Sequence, residues 1–217
     1  CERRWHRRSR HRNIQRKLCD FWQQHRICTK YGSGRTGFRV NSGSTSVSSA
    51  GDVNGDGIDD LIIGVYDADP AGLSNAGESY VIFGSTAGFT ADLALDTLDG
   101  STGFRIPGIE AGDRSGISVA SAGDVNGDGI DDLLFRAGFA SPGGTMEAGE
   151  SYVVFGSTAD FAAELAPVDL DGSNGFRIPG SIEFSTTGVA ATTAGDINGD
   201  GLDDLIFTAP DFAQAYV

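Results

Sequence analysis

The stretch DVNGDGIDD at residues 52–60 decides the fold of this chain, because it returns as DVNGDGIDD at 124–132 and as DINGDGLDD at 196–204. The first aspartates of successive loops are 72 residues apart in both intervals. One such loop would be an ordinary turn, but three copies in one register indicate a repeat protein. The sequence therefore predicts a repeating structural unit that carries one acidic loop per copy.

Each acidic loop stands at the same place in a fixed order of elements. A GFR strand start comes first, at 37–39, 103–105 and 175–177. A small-residue segment ending in Ala-Gly leads into the loop, and an apolar run follows it, at 61–66, 133–135 and 205–207. A Tyr-Val strand comes later, as SYVIFGS (79–85), as SYVVFGS (151–157) and, cut short, as Ala215-Tyr216-Val217. Short strands between Gly, Asp and Asn turns fit this order.

The apolar runs indicate how the strands pack. Leu61-Ile62-Ile63 and Val81-Ile82-Phe83 are apolar without alternation, whereas a sheet with one solvated face alternates. Small four-stranded antiparallel sheets that are covered on both faces by copies of themselves are the blades of a β-propeller. The fold class predicted is all-β, a partial β-propeller. A stacked β-solenoid is the competing geometry, but its repeats are far shorter.

Composition separates the first 36 residues from the rest. Residues 1–36 hold eleven of the sixteen Lys and Arg, all three Cys and all three His, against two acids. Residues 37–217 carry five Arg and 28 acids. The predicted segments are a basic non-repeat segment at 1–36, repeat 1 at 37–102, repeat 2 at 103–174 and a truncated repeat 3 at 175–217.

The basic segment has three interpretations. Repeat agreement resumes abruptly at residue 36, which favours a disordered or frameshifted stretch. An Arg-rich arm for nucleic acid or anionic lipid is the functional alternative. A zinc cluster of Cys19, Cys28 and His25 is the third, but its spacing matches no four-ligand pattern.

The acidic loops have the donor chemistry of a calcium site. Positions 1, 3, 5 and 9 carry side-chain oxygens, Gly at position 6 permits a sharp bend, and the carbonyl of position 7 adds another oxygen. Hard oxygen ligands without His or Cys select Ca²⁺, and we expect about one ion per repeat. The predicted ligands are Asp52, Asn54, Asp56, Ile58, Asp60, Asp124, Asn126, Asp128, Ile130, Asp132, Asp196, Asn198, Asp200, Leu202 and Asp204.

Two other interpretations of the loops are weaker. An EF-hand needs Glu at position 12 and a following helix, whereas position 12 here is apolar, at Ile63, Phe135 and Phe207. A plain hairpin turn explains Asn, Gly and Asp, but it does not explain why paired acids recur at positions 8 and 9 in all copies. We interpret the acids of position 8 as loop-closing or solvated groups, at Asp59, Asp131 and Asp203.

The order of loop, apolar run and YV-x-FG strand resembles the FG-GAP repeat of integrin-alpha-type β-propellers, over residues 37–217. The FG element is Phe83-Gly84 and Phe155-Gly156; the GAP element is imperfect in every copy. The resemblance implies four-stranded blades, Ca²⁺ in the hairpin between the first two strands, and a seven-bladed ring used for adhesion or ligand binding. Three units do not close a ring, so we expect the remaining blades of the same propeller elsewhere.

The predicted function is a calcium-stabilised extracellular module for adhesion or for binding an unidentified protein or glycan ligand through variable loops at 67–78 and 138–149. Weak extracellular-type calcium sites are empty at cytosolic calcium, which favours a secreted or cell-surface location. No signal peptide and no run of about 18–20 apolar residues is present in this sequence.

The acidic body disfavours nucleic acid as a partner. Residues 37–217 contain no His, Cys, nucleophile elbow or phosphate loop, so we expect no catalysis. The alternative function is the non-catalytic propeller portion of a larger secreted hydrolase or lyase.

Overall fold

The computed structural model describes residues 38–40, 42, 43, 45–183, 191–209 and 214–216. The basic segment 1–36, with Cys19, His25 and Cys28, lies outside these residues. The chain divides into a unit made of 1–42 and 87–95 and a larger unit made of 43–86 and 96–217. Among the described residues, no helix is long and apolar enough to cross a membrane.

The described secondary structure consists of strands and four single-turn 3₁₀ helices. The strands are β1 (Arg39–Val40), β2 (Thr45–Gly51), β3 (Asp60–Val65), β4 (Glu78–Ile82), β5 (Asp92–Leu93), β6 (Gly103–Pro107), β7 (Ser115–Gly123), β8 (Asp132–Ala137), β9 (Glu150–Val154), β10 (Gly175–Pro179), β11 (Ala191–Gly195), β12 (Asp204–Ala209) and β13 (Gln214–Tyr216). The 3₁₀ helices are Pro70–Gly72, Leu95–Thr97, Pro142–Gly144 and Pro167–Asp169. The all-β fold class is confirmed.

The described residues of the smaller unit include a short parallel strand pairing. Strand β1 pairs with β5, with Arg39 opposite Asp92, and the same two residues form a salt bridge of 3.2 Å. The rings of Phe38 and Phe89 lie 4.4 Å apart between centroids. An ion pair and an aromatic contact therefore hold this pairing.

The larger unit contains three antiparallel sheets that correspond to the three acidic loops. Blade 1 has the strand order β2-β3-β4-β6, blade 2 the order β7-β8-β9-β10, and blade 3 the order β11-β12-β13. Apart from β5, which pairs with β1, strands that follow one another in the chain are neighbours in each sheet, which is the meander of a propeller blade. The prediction of a partial β-propeller is confirmed.

The GFR strands belong to the sheet of the preceding repeat. Strand β6, which starts at Gly103, pairs with β4 of blade 1, and β10, which starts at Gly175, pairs with β9 of blade 2. The blades and the sequence repeats are therefore offset by one strand. This offset makes each GFR strand the outer strand of one blade and the connection to the next.

The blades bury their strands on both faces, as the unbroken apolar runs predict. All six residues of β8 are buried. Leu133 and Phe135 belong to a core that blade 2 shares with blade 1. Blade 1 contributes Ile62, Val81 and Phe104 to this core. The intervening Leu134 belongs to a second core that includes Ala122 and Val153 and packs against Leu205 and Phe207 of blade 3. Alternate residues of one strand thus serve two interfaces.

The phenylalanine of the FG motif, directly after the third strand of a blade, packs against the phenylalanine of the GFR motif in the neighbouring outer strand. Phe83 and Phe104 form an edge-to-face pair with centroids 5.9 Å apart, and Phe155 and Phe176 form the same pair at 5.9 Å. Edge-to-face rings are a favoured aromatic geometry. The two motifs therefore hold the outer strand of each blade in place.

We predict that Leu134→Ala lowers the free energy of unfolding by about 3 kcal/mol, because it leaves a cavity between blades 2 and 3. The control is Val168→Ala, since Val168 is 57% exposed, and we expect it to change stability by less than about 0.5 kcal/mol. Urea unfolding of both variants measures the difference. Equal losses in the two variants would show that the second core does not stabilise the fold.

Candidate functional site

The three acidic loops connect the first two strands of each blade. Loop 1 is 52–60, loop 2 is 124–132 and loop 3 is 196–204. A glycine ends the strand before each loop, and position 9 begins the strand after it. A β-bulge precedes every loop, where the strand register shifts at Gly51, Gly123 and Gly195. Bulges bend a strand and increase its twist, and here each bulge changes the direction of the chain directly before the loop.

The carboxylate of position 1 organises the loop backbone. In loop 1, the Asp52 carboxylate accepts hydrogen bonds from the backbone N–H groups of Asp56, at 3.0 Å, and Gly57, at 2.7 Å. Asp124 and Asp196 accept the corresponding N–H groups at 2.8 to 3.1 Å. One acid therefore binds several loop amides in each of the three copies.

Positions 3 and 5 also receive backbone hydrogen bonds. Asn54 Oδ1 accepts the N–H of Asp56 at 2.9 Å, and Asp56 Oδ1 accepts the N–H of Ile58 at 2.9 Å. Loops 2 and 3 repeat both bonds at 2.8 to 2.9 Å. The side-chain oxygens of positions 1, 3 and 5 thus all face into the tight turn.

Glycine at positions 4 and 6 makes this turn possible. Gly55 and Gly57 have φ values of +71° and +87°, in the left-handed region that glycine adopts without steric cost. The glycines of loops 2 and 3 have φ between +78° and +92°. The prediction that position 6 permits a sharp bend is confirmed, and position 4 has the same role.

Position 9 is a buried anchor in loops 1 and 2, whereas Asp204 of loop 3 is half-buried and accepts the backbone N–H of Ile197 and the side-chain amide of Asn198. Asp60 is 4% exposed; its two oxygens accept the N–H groups of Val53, at 3.0 Å, and of Gly84 in the FG motif, at 2.7 Å. Asp132 is fully buried and accepts the equivalent N–H groups of Val125 and Gly156. This aspartate therefore ties its loop to the end of the third strand, a contact that the sequence did not predict.

Burial raises the pKa of both anchors. The pKa of Asp60 rises to about 6 because of desolvation, against the lowering effect of the two backbone N–H groups, and the charges of Asp52 and Asp56 raise it further. The pKa of Asp132 rises to about 6 for the same reasons, with desolvation as the largest cause. Two carboxylates of the loops are thus ionised at neutral pH in an unfavourable environment.

Position 8 connects neighbouring blades. Asp131 Oδ2 accepts the N–H of Asp52 at 2.8 Å, and Asp203 Oδ2 accepts the N–H of Asp124 at 2.9 Å. The N–H groups of Asp131 and Asp203 in turn donate to the carbonyl oxygens of Asp52 and Asp124, at 3.3 and 3.0 Å. The prediction that the position 8 acids close their own loop or are solvated is therefore wrong for Asp131 and Asp203. Asp59 is exposed and fits it.

The glycine before each loop leaves room for this contact. A Cβ on Gly51 would collide with the carboxylate of Asp131, and one on Gly123 would collide with that of Asp203. Gly195 has the same positive φ, +68°, but a Cβ there would meet nothing within 4 Å among the described residues. The Ala-Gly pairs before loops 1 and 2 therefore serve the interface between blades.

The donor chemistry of each loop fits Ca²⁺, because it offers carboxylate, amide and carbonyl oxygens and no nitrogen or sulfur ligand. A carboxylate oxygen that accepts one N–H keeps a second acceptor position. Among the described residues, however, no group of three or more His, Cys, Asp or Glu side chains is gathered as a metal site. The ligand set given above therefore stays a prediction.

An open groove lies at the other end of the strands, between the β3–β4, β6–β7 and β8–β9 connections. It encloses about 490 Å³ and its lining includes Glu110, Asp113, Arg114, Phe139 and Glu147. The guanidinium carbon of Arg114 lies 4.9 Å from the ring centroid of Phe139. The predicted ligand loops 67–78 and 138–149 both contribute to this groove.

The groove has a fixed and strained backbone. Asn75, Arg114 and Glu147 all have positive φ, between +46° and +54°, which is uncommon for residues other than glycine. The N–H of Arg114 donates to the carbonyl of Asn75 at 3.1 Å. Strained residues of this kind cluster at functional sites, and the hydrogen bond joins two of the connections.

Together, the meander sheets and the loops after each first strand define a β-propeller repeat module. A family model described as FG-GAP repeat matches residues 44–82, 115–154 and 188–217. The chain belongs to the FG-GAP repeat family, and its repeats are of the integrin-alpha type.

Three relatives illustrate this membership. Integrin alpha-PS5 of Drosophila melanogaster is 28% identical over 173 residues, which are 77% of this chain and 15% of the relative. Integrin alpha-5 of Xenopus laevis is 30% identical over 165 residues, 74% of this chain and 14% of the relative. Phosphatidylinositol-glycan-specific phospholipase D of Rattus norvegicus is 29% identical over 164 residues, 76% of this chain and 18% of the relative. The chain thus spans less than a fifth of these proteins.

We predict that Gly51→Ala destabilises the protein more than Gly195→Ala. Both substitutions place alanine in the left-handed region, at about 1–2 kcal/mol, but only the first displaces Asp131, which adds about 1–3 kcal/mol for the lost hydrogen bond. Urea unfolding of the two variants compares them directly. If the two variants lose the same free energy of unfolding, the contact between position 8 and the preceding loop does not contribute to stability.

We also predict that the groove residue Asp113 makes stability fall as pH rises from about 4 to about 6. Desolvation raises its pKa to about 6, against a lowering backbone hydrogen bond from Glu110, and the charges of Glu110 and Glu150 raise it further. The folded state therefore binds more protons than the unfolded state in this window. Asp113→Asn removes this titrating group. The free energy of unfolding of the variant therefore rises relative to that of the wild type as pH increases from about 4 to about 6.

Urea unfolding of the wild type and Asp113→Asn at about pH 4.5, 6, 7.5 and 8.5 measures this difference. Between about pH 7.5 and 8.5 it should be constant, because Asp113 is then ionised in both states. A difference that does not change between about pH 4 and 6 would contradict the burial of an ionisable Asp113.

Proposed function

We propose that this chain is a calcium-binding propeller module, in which each acidic loop holds one structural Ca²⁺. The observation that carries the proposal is that the oxygens of positions 1, 3 and 5 accept the same backbone N–H groups in loops 1, 2 and 3, at matching hydrogen-bond distances. Turn formation alone does not require acids at positions 1, 5 and 9 of every copy, because Gly and Asn already provide the turn.

The side chains of positions 1, 3, 5 and 9 and the carbonyl of position 7 would hold the ion in each loop, and the ion would supply a positive charge at the centre of the turn. The chain's own residues prepare this centre. Backbone N–H groups orient the oxygens of Asp52, Asn54 and Asp56, and the anchor Asp60 fixes the end of the loop. A preoriented set of carboxylates repels itself without a cation, so ion binding stabilises the folded loop.

The proposed location is outside the cell or at its surface. Extracellular calcium modules bind with Kd of about 10⁻⁴–10⁻³ M, and such sites fill only where calcium is abundant. The loops are exposed at position 5 and surrounded by other acids, which suits access by a cation from solvent. Weak structural sites of this kind support a secreted or surface module.

The proposed role is adhesion or ligand binding through the groove, with a protein or glycan as partner. The groove lies on the β3–β4, β6–β7 and β8–β9 connections, while the acidic loops lie at the opposite ends of the same strands. Its lining combines the Arg114–Phe139 pair with the acids Glu110 and Glu147, which is a mixture of polar and aromatic groups suited to recognition. We propose no catalytic role for this part of the chain.

A second candidate function follows from a different relative. The match to phosphatidylinositol-glycan-specific phospholipase D of Rattus norvegicus covers 76% of this chain, which supports the alternative that the module is the non-catalytic propeller portion of a larger secreted hydrolase or lyase. A full-length gene that encodes a separate catalytic domain would favour this candidate. A gene that encodes only further repeats and a surface anchor would favour adhesion.

We predict that Ca²⁺ raises the thermal midpoint of the protein and that EDTA reverses this. At a free concentration of ten times Kd, each site adds about 1.4 kcal/mol to the free energy of unfolding. Isothermal titration calorimetry should find about three sites in the wild type and about one fewer in Asp124→Ala, since position 1 supplies a carboxylate to the site.

The matched control is Asp160→Ala, which removes an exposed acid between β9 and β10 outside all three loops. It should retain the stoichiometry and the calcium-dependent midpoint of the wild type. A thermal midpoint that is the same in millimolar Ca²⁺ and in EDTA would overturn the proposed calcium function.

A further inference from the structure

We propose that the position 8 aspartates couple neighbouring acidic loops, so that a cation bound in one loop strengthens cation binding in the loop of the preceding blade. Asp131 would couple loop 2 to loop 1, and Asp203 would couple loop 3 to loop 2. This inference rests on the proposed cation binding by the loops. It assigns Asp131 and Asp203 as positioning residues, because they act on the ligand set of a neighbour and are not themselves proposed ligands.

The contacts join residues of the two ligand sets directly. Asp131 stands between Ile130 and Asp132, the proposed ligands of loop 2 at positions 7 and 9. Its carboxylate accepts the N–H of Asp52, the position 1 ligand of loop 1, at 2.8 Å, and its N–H donates to the Asp52 carbonyl at 3.3 Å. Both backbone groups of one ligand are therefore held by the neighbouring loop.

A third hydrogen bond strengthens the connection between blades 1 and 2. The N–H of Ser157, directly after the FG motif of blade 2, donates to the carbonyl of Val53 in loop 1 at 2.9 Å. The preceding Gly156 donates to the anchor Asp132 of loop 2 at 2.8 Å. The end of strand β9 thus contacts both loops, and the position of one loop constrains the position of the other.

The coupling follows from the free energy of these contacts. The proposed ligands at positions 7 and 9 of loop 2 flank Asp131, so holding them on a cation would restrict the intervening Asp131. A restricted Asp131 holds the backbone of Asp52 in place, and loop 1 then loses less conformational freedom when it binds its own cation. Two sites that share a restricted element show positive coupling, and the effect is reciprocal.

The chain contains its own control for this proposal. Asp59 occupies position 8 of loop 1, with the same neighbours in sequence as Asp131, but it is exposed and, within the described residues, accepts no N–H from another loop. Asp59→Ala therefore removes the same charge from the same loop position without removing a contact between blades.

The first experiment is amide hydrogen exchange by NMR on the full chain in EDTA. In Asp131→Ala we expect the Asp52 amide to exchange about tenfold faster and the Asp124 amide to be unchanged, because a hydrogen bond to a charged acceptor is lost. Asp203→Ala should give the reverse pattern, and Asp59→Ala should change neither amide. Asp131→Asn keeps an acceptor oxygen and should retain slow exchange at Asp52.

The second experiment measures the calcium affinity of loop 1 from the chemical shift of the Gly57 amide. Asp128→Ala removes a position 5 ligand of loop 2, and we expect it to weaken calcium binding in loop 1 about fivefold, in the range of typical coupling between sites. The same substitution in an Asp131→Ala background should cause no further loss. In an Asp131→Asn background, Asp128→Ala should again weaken calcium binding in loop 1 about fivefold.

The outcomes separate this inference from the function on which it rests. If no Gly57 shift occurs with calcium in the wild type, the proposed calcium function fails and the coupling fails with it. If the shift occurs but Asp128→Ala leaves the affinity of loop 1 unchanged, calcium binding stands and the coupling is overturned. A fivefold loss that persists in the Asp131→Ala background, or an Asp52 amide that exchanges equally fast in Asp59→Ala, also overturns it.

Discussion

Blades 1 and 2 depend on the hydrogen bonds accepted by the carboxylate of loop position 9. Asp60 and Asp132 are buried acids that accept two backbone N–H groups each, one from the start of their own loop and one from the FG glycine. A buried carboxylate without such partners would be strongly destabilising. The loop, the second strand and the end of the third strand must therefore form together, because each supplies part of what this acid needs.

The same constraint explains why the FG motif carries glycine. A Cβ on Gly84 would come within 2.6 Å of the carbonyl oxygen of Asp59. The N–H of Gly84 can approach the carboxylate of Asp60 to 2.7 Å because glycine has no side chain at this point. The phenylalanine before it serves a separate purpose, since its ring packs on the GFR strand. Two neighbouring letters of the motif thus perform two different tasks, one in hydrogen bonding and one in the apolar core.

Much of this architecture is readable from the sequence, because it repeats locally. The unbroken apolar runs predict strands that are covered on both faces, and the regular Asp, Asn and Gly spacing predicts the turn. The pairing of the GFR strand with the preceding sheet is harder to predict from the sequence. A long connection separates this strand from the strand it pairs with, from Ile82 to Gly103 in blade 1, so local pattern does not identify the partner. The role of Asp131 is not accessible at all from local pattern, because its partner, the amide of Asp52, lies 79 residues earlier in the chain. Sequence alone separates the acids of a loop by position, but only packing shows which of them faces another blade.

The distribution of charge in the loops is the physical basis of the proposed cation binding. Desolvation raises the pKa of the anchors Asp60 and Asp132 to about 6, and the acids at positions 1 and 5 raise it further. At neutral pH these anchors are ionised at a cost that the folded state bears and the unfolded state does not. The backbone N–H groups that donate to the anchors offset part of this cost, and the rest of the cost remains. A divalent cation in the loop would offset the remainder, because it would act on the position 1, 5 and 9 carboxylates at once. The desolvation and repulsion that make these ionised anchors costly are therefore free energies that would favour binding of the ion, and under the coupling proposed above the contacts through position 8 would extend that relation from one blade to the next.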